Sequence, residues 1–138
     1  MEEDFLLILK KNKDLVALVG NRISIDDRPS GPEPAIVVSR VSGGHEHQLS
    51  GSVGFARPVL HVMCFASRAT TANHLKETAR KALQGFSGVV GRTNFGSLVL
   101  DDEDHDYEPP LDAGDLTGTF SRLLVFTVLH GEQIPTFS

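Results

Sequence analysis

The chain has 138 residues, of which 40% are hydrophobic and 22% charged, with a formal net charge of −5. That length holds one domain around one core and excludes a second, and the balance excludes a disordered, fibrous or low-complexity chain. The charge is local: Asp101 to Glu108 contains six of the 18 carboxylates, leaving 12 elsewhere against 13 lysines and arginines.

Met1-Glu2-Glu3-Asp4 is acidic where a secretory signal is basic. The longest apolar run, Phe5 to Leu9, falls far short of the ~20 residues of a membrane span, so the protein is expected to stay in the cytoplasm. Phe5, Ile8, Leu9, Leu15, Val16 and Val19 recur at helical spacing. They predict a helix from about Glu3 to Lys11 and a short second turn of helix capped by Asn12 or Asp14 and ending at Gly20. Lys10, Lys11 and Lys13 form the one basic cluster, and with no Trp and a single tyrosine, Tyr107, the chain has neither the phosphate-neutralising charge nor the stacking platform of a nucleic-acid binder.

Asp26 to Pro34 carries Pro29, Pro32 and Pro34 and is expected to be loop, because closely spaced prolines remove backbone donors. Two strands follow, Ala35 to Ser42 and about Phe55 to Ala66, paired as a hairpin across the glycine-rich link Gly43 to Gly54. Cys64 lies in the second strand and is the only cysteine. It can form no intrachain disulfide, and its setting in Val62-Met63-Cys64-Phe65 is that of a small buried hydrophobe. Leu75, Ala79, Ala82 and Leu83 mark the apolar stripe of a helix starting near Thr70 or Thr71 and ending at Gly85. A second hairpin is expected from Thr93 to Asp101 and Thr117 to His130, joined by the acidic hinge Asp101 to Pro110. The resulting order α, β, β, α, β, β predicts an α+β fold with a four-stranded antiparallel sheet and helices packed on one face.

Alternation along the strands carries a further expectation. On the second strand one face reads Ala56, Pro58, Leu60, Val62, Cys64 and Ala66, and the other Phe55, Arg57, Val59, His61, Met63 and Phe65. The last strand likewise has Phe120, Leu124, Phe126 and Val128 on one side and Leu123, Val125 and Leu129 on the other. A single antiparallel sheet with one face in water alternates more cleanly. Two helices cannot cover both faces, so the second face is expected to associate with other copies of the chain. Arg57, Val59, Met63, Phe65 and Arg122 are the candidate oligomer interface, the two arginines as intersubunit salt bridges or as side chains snorkelling to solvent.

With this order and the acidic run in place, the chain resembles the phage tail completion proteins of long-tailed bacteriophages, also called tail terminator or head-tail joining proteins. The resemblance runs from the leading helix to His130. It rests on Leu18-Val19-Gly20-Asn21-Arg22-Ile23, the proline-rich approach to Ala35-Ile36-Val37-Val38, and Val62-Met63-Cys64-Phe65-Ala66. It continues through Leu83-Gln84-Gly85-Phe86 and Ser87-Gly88 after the alanine-rich helix, Asp101 to Glu108, and Phe120-Ser121-Arg122-Leu123-Leu124-Val125-Phe126. Phe65 departs from it, standing where the family often has tryptophan, and the tail Gly131 to Ser138 extends past the single domain of residues 1–130.

The resemblance implies a non-enzymatic structural protein without cofactor, made in the host cytoplasm and located at the junction of tail and head. It implies a self-assembled ring, a hexamer in expectation, that ends the tail tube and meets the tail tube protein and the head connector or stopper protein, while DNA passes through without specific binding. Asp101, Asp102, Glu103, Asp104, Asp106 and Glu108 then read as lumen or interface residues, with a simply solvated turn as the alternative. The loops holding Arg28 and Pro29, and His45, Glu46 and His47, read as partner-docking segments. Within the same class a head-side stopper is the alternative. From another class, His45-x-His47 is the best case for a small metal-dependent hydrolase, although nothing in the spacing makes other ligands converge on it.

Overall fold

The first two helices follow directly from their end signals. The computed structural model describes residues 2–28, 33–42, 55–56, 58–84, 86–91, 93–109 and 118–132, and in it α1 (Glu2–Lys10) starts with Glu2, Glu3 and Asp4 and ends on Lys10, each charge opposing the helix dipole at its end. Asn12 then caps α2 (Lys13–Val19): its side-chain oxygen accepts from the Leu15 backbone N–H at 2.9 Å. Gly20 stops α2 at a φ of 58°, its N–H donating to the Val16 carbonyl, a backbone conformation that glycine adopts without penalty.

The strands are β1 (Ile23–Ile25), β2 (Ala35–Ser42), β3 (Phe55–Ala56), β4 (Val59–Ala66), β5 (Gly88–Val90), β6 (Thr93–Glu108) and β7 (Thr119–Glu132), with α3 (Ala69–Leu83) between β4 and β5. Six of them form one path in the order β1-β2-β4-β7-β6-β5, and β3 adds to β7 beyond the end of β4. Pro58 explains the break between β3 and β4, since proline donates nothing to a ladder; its carbonyl still accepts from the Val128 N–H at 3.0 Å.

The expected four-stranded antiparallel sheet is therefore corrected. The sheet is mixed, because β1 runs parallel to β2 with Ile23 opposite Ile36, and it curls into a half-barrel. The α+β class stands, with three helices among the described residues. Arg22 fixes the added parallel edge: its Nε donates to the Pro34 carbonyl at 2.7 Å, its guanidinium pairs with Glu33 at 3.1 Å, and its own carbonyl accepts from the Ile36 N–H. The second correction concerns the acidic run, which is no hinge. β6 continues through it after a register shift at Asp101, paired with β7 from Asp102 opposite Val125 to Glu108 opposite Thr119.

One core holds the layers together. Phe5, Leu9, Leu15, Leu75 and Leu83 of the helices are fully buried against Ile36, Leu60, Val62, Leu124 and Phe126 of the strands. Helix α1 touches β1, β2 and β5, which lie at opposite ends of the strand order, so it fills the trough of the curled sheet. Thr93 at the start of β6 is tied to this helix by a 2.7 Å hydrogen bond from its hydroxyl to the Asp4 carboxylate. Among the described residues no helix is long and apolar enough to cross a membrane.

Candidate interaction surface

Register separates the two faces of the sheet residue by residue, because side chains paired across a ladder point the same way. On the helix side, Val38 pairs with Val62 and Val62 with Leu124, and all three are fully buried. On the other side His61 pairs with Val125 and Val125 with Asp102, while Met63 pairs with Leu123 and Leu123 with Asp104. Met63, Leu123 and Val125 are only half-buried. This open face is an apolar stripe along β4 and β7, bordered on β6 by a row of carboxylates at every second residue.

Strand β6 is exposed on both of its sides from Asp101 to Pro109. Three alternate N–H groups, those of Glu103, His105 and Tyr107, each donate at 2.8 Å to the carboxylate of the preceding residue, Asp102, Asp104 and Asp106. Edge strands normally leave such donors unpaired. Among the described residues none of these three aspartates is ion-paired. Asp101 instead accepts from the Thr127 hydroxyl, and Glu103, on the helix side, pairs with Lys76 at 3.4 Å.

One end of the open face is already occupied. Arg28, just beyond β1, lies 4.4 Å above the Phe65 ring, donates to the Thr119 hydroxyl at 3.1 Å and reaches Glu108 at 4.0 Å. A guanidinium stacked on an aromatic face and held by a carboxylate is a tie within the chain, and it leaves Phe65 only 8% exposed. On the helix side of the same strand end, Tyr107 packs on its cross-strand partner Phe120, ring centres 4.6 Å apart. Gly118 makes this contact feasible, since any side chain there would run into the Glu108 carbonyl and the Tyr107 hydroxyl.

The structure thus brings Val59, Met63 and Phe65 together with Asp102, Asp104, Asp106 and Glu108 on one face, and it does not bring Arg122 to them. Arg122 shares the helix side with Leu124. There its Nε donates to the Asn73 side-chain oxygen at 2.6 Å and its Nη1 to the Ser121 carbonyl, at the edge of an open polar cleft of about 320 Å³ also lined by Lys76, Glu103 and His105. The signal that places Arg122 is its even number, shared with Leu124 and Phe126 on the same strand. Leu123 and Val125, absent from the expected interface, are found by the same parity. Pro29, His45, Glu46, His47 and Arg57 lie outside the described residues, as does the tail from residue 133.

Two further groups are placed by the fold, and burial makes the first of them inert. Cys64 is fully buried, and burial pushes its thiol up to about 12, only partly opposed by the Lys76 charge. His74 is exposed on α3. Among the described residues no group of three or more His, Cys, Asp or Glu could hold a metal ion.

No protein-family model matches the chain, and no curated protein matches it in sequence. Its fold occurs in a virion. A chain from the virion of a native gene transfer agent (GTA) particle aligns with 91% of this chain and 90% of its own length, with a TM-score of 0.61 and 21% identity. The alignment spans helices and strands alike, so the likeness is of the whole fold.

Proposed function

We propose that this chain is a structural subunit of a phage-type particle, and that its place is the ring that ends the tail tube and joins it to the head connector. The observation that carries this reading is the extent of the shared fold: nine-tenths of both chains align with no large part left over on either side. A second support is physical. Among the described residues no helix covers the apolar stripe of the open face, and surfaces of that kind are completed by protein partners.

The role is one of shape and adhesion, not of turnover. Copies related by rotation would use two different patches each and close into a ring. The carboxylates of β6, held on a regular strand, would give such a ring a strongly negative lip past which DNA slides without sticking. Assembly would take place in the host cytoplasm, with the tail tube protein on one side and the connector on the other.

Light scattering on the purified protein tests the reading. Six copies of a 15.0 kDa chain give a particle of about 90 kDa, visible as a ring in negative stain. A protein that stayed single at all concentrations and gave no rings when mixed with tail tubes would overturn it.

A further inference from the structure

The open face of the sheet has a counterpart elsewhere on the same chain. Leu7 of α1 and Val16 of α2 are each 38% exposed, although both belong to helices whose other faces are buried in the core. Lys10 and Lys11 follow Leu7 at i+3 and i+4, and so share its side of the helix; Lys13 opens α2, and all three lysines are exposed. The corner between α1 and α2 therefore presents apolar knobs flanked by three lysines, which outnumber the two exposed carboxylates beside them, Glu3 and Asp14. The open face presents an apolar stripe, Met63, Leu123 and Val125, rimmed by Asp102, Asp104 and Asp106.

We propose that the α1–α2 corner of one copy docks on the open face of the next, Leu7 and Val16 against the apolar stripe and Lys10, Lys11 and Lys13 against the aspartate row. This rests on the ring reading and names the two surfaces that would build it. The complementarity is twofold, in charge and in greasiness, and the two surfaces lie on opposite sides of the sheet. A two-fold pair could join them only if they were adjacent, so their separation dictates head-to-tail contact, which closes into a ring or runs on as a filament. The aspartates are available for it, because their local hydrogen bonds are to backbone N–H groups and, among the described residues, none of the three is ion-paired.

Charge reversal at each surface, followed by mixing, tests the pairing. In sedimentation velocity at low salt, Asp102→Lys/Asp104→Lys and Lys10→Glu/Lys11→Glu are each expected to weaken self-association at least about a hundredfold by setting like charges against each other. Mixing the two variants, or combining all four changes in one chain, is expected to restore it. Asp102→Asn/Asp104→Asn/Asp106→Asn keeps an oxygen for each backbone N–H and so keeps the strand; it is expected to associate more weakly than wild type and to lose most of the salt dependence. Assemblies of wild-type size from both charge-reversed variants would overturn the pairing and leave the ring reading standing. Failure of the mixture to re-associate, with circular dichroism showing both variants folded, would also overturn it. A wild type that stays single at every concentration would remove both.

Discussion

Leu123 and Leu124 are the same residue at consecutive positions of β7, one on each face, and their truncation measures how complete an isolated copy is. Leu124 is fully buried among Val38, Val62 and Phe126. Leu124→Ala removes the transfer energy of the lost carbons and leaves a cavity, together about 3–4 kcal/mol. Leu123 is half-buried, and water can fill the space it vacates. Leu123→Ala forfeits only part of the 1.5–3 kcal/mol that full burial of such a side chain is worth, about 1 kcal/mol. At 138 residues the unfolding entropy is roughly 0.3 kcal/mol/K at the midpoint. The expected shifts are then about 10–13 °C for Leu124→Ala against about 3 °C for Leu123→Ala. Thermal unfolding followed by circular dichroism, at concentrations where sedimentation finds single copies, gives the comparison. Equal losses at the two positions would mean that the chain seals its own second face, and the argument for docking there would collapse.

Two further predictions concern the fold itself. Asn12→Ala should cost about 1 kcal/mol by leaving the Leu15 N–H without its cap, read as a lower urea midpoint with unchanged slope. Gly91→Ala should cost about 2–3 kcal/mol: φ is 59°, and the new Cβ would overlap the Asp4 carboxylate that holds Thr93, combining a left-handed backbone with a disturbed hydrogen bond. Its check is the same urea titration.

The pH dependence follows from Cys64, whose thiol rises from the ordinary 9.0 to about 12 by burial. Above pH 9 the unfolded chain releases this proton first, so the folded state holds more protons and loses stability as pH rises toward 12, by up to about 1.4 kcal/mol per pH unit. Cys64→Ala should show a flatter stability profile than wild type over that window, and an identical slope would contradict the burial argument. The native thiol should also resist iodoacetamide at pH 8 and react on unfolding.

Much of this architecture can be read from the chain, and the gaps have physical causes. Asn12, Gly20 and the stripe Leu75, Ala79 and Leu83 locate the helices, because caps and helical period are local signals. Strands β2, β4 and β7 declare themselves through β-branched runs. Ile23–Ile25 and Gly88–Val90 do not, since three residues cannot display a period of two, and their pairing is decided by Arg22 and by the turn at Gly91. The acidic stretch of β6 misleads for a different reason: aspartate is poor in strands, and this segment buries neither face, so only its partner β7 makes it one. The double-sided greasiness of β4 and β7 is legible in the alternation of Met63, Leu123 and Val125. The same alternation sets Arg122 with Leu124 and Phe126, away from Met63; what it does not give is the partner on α3, Asn73, that Arg122 meets there.

The short closures between each aspartate and the next backbone N–H have a consequence for how copies of this protein can meet. Amyloid-like stacking and strand exchange need a free row of main-chain donors, and here alternate donors along half of β6 are already spent. Growth by main-chain zippering is shut off on that flank. On that flank it is side chains, whose contacts respond to charge and salt, that are left to meet another copy.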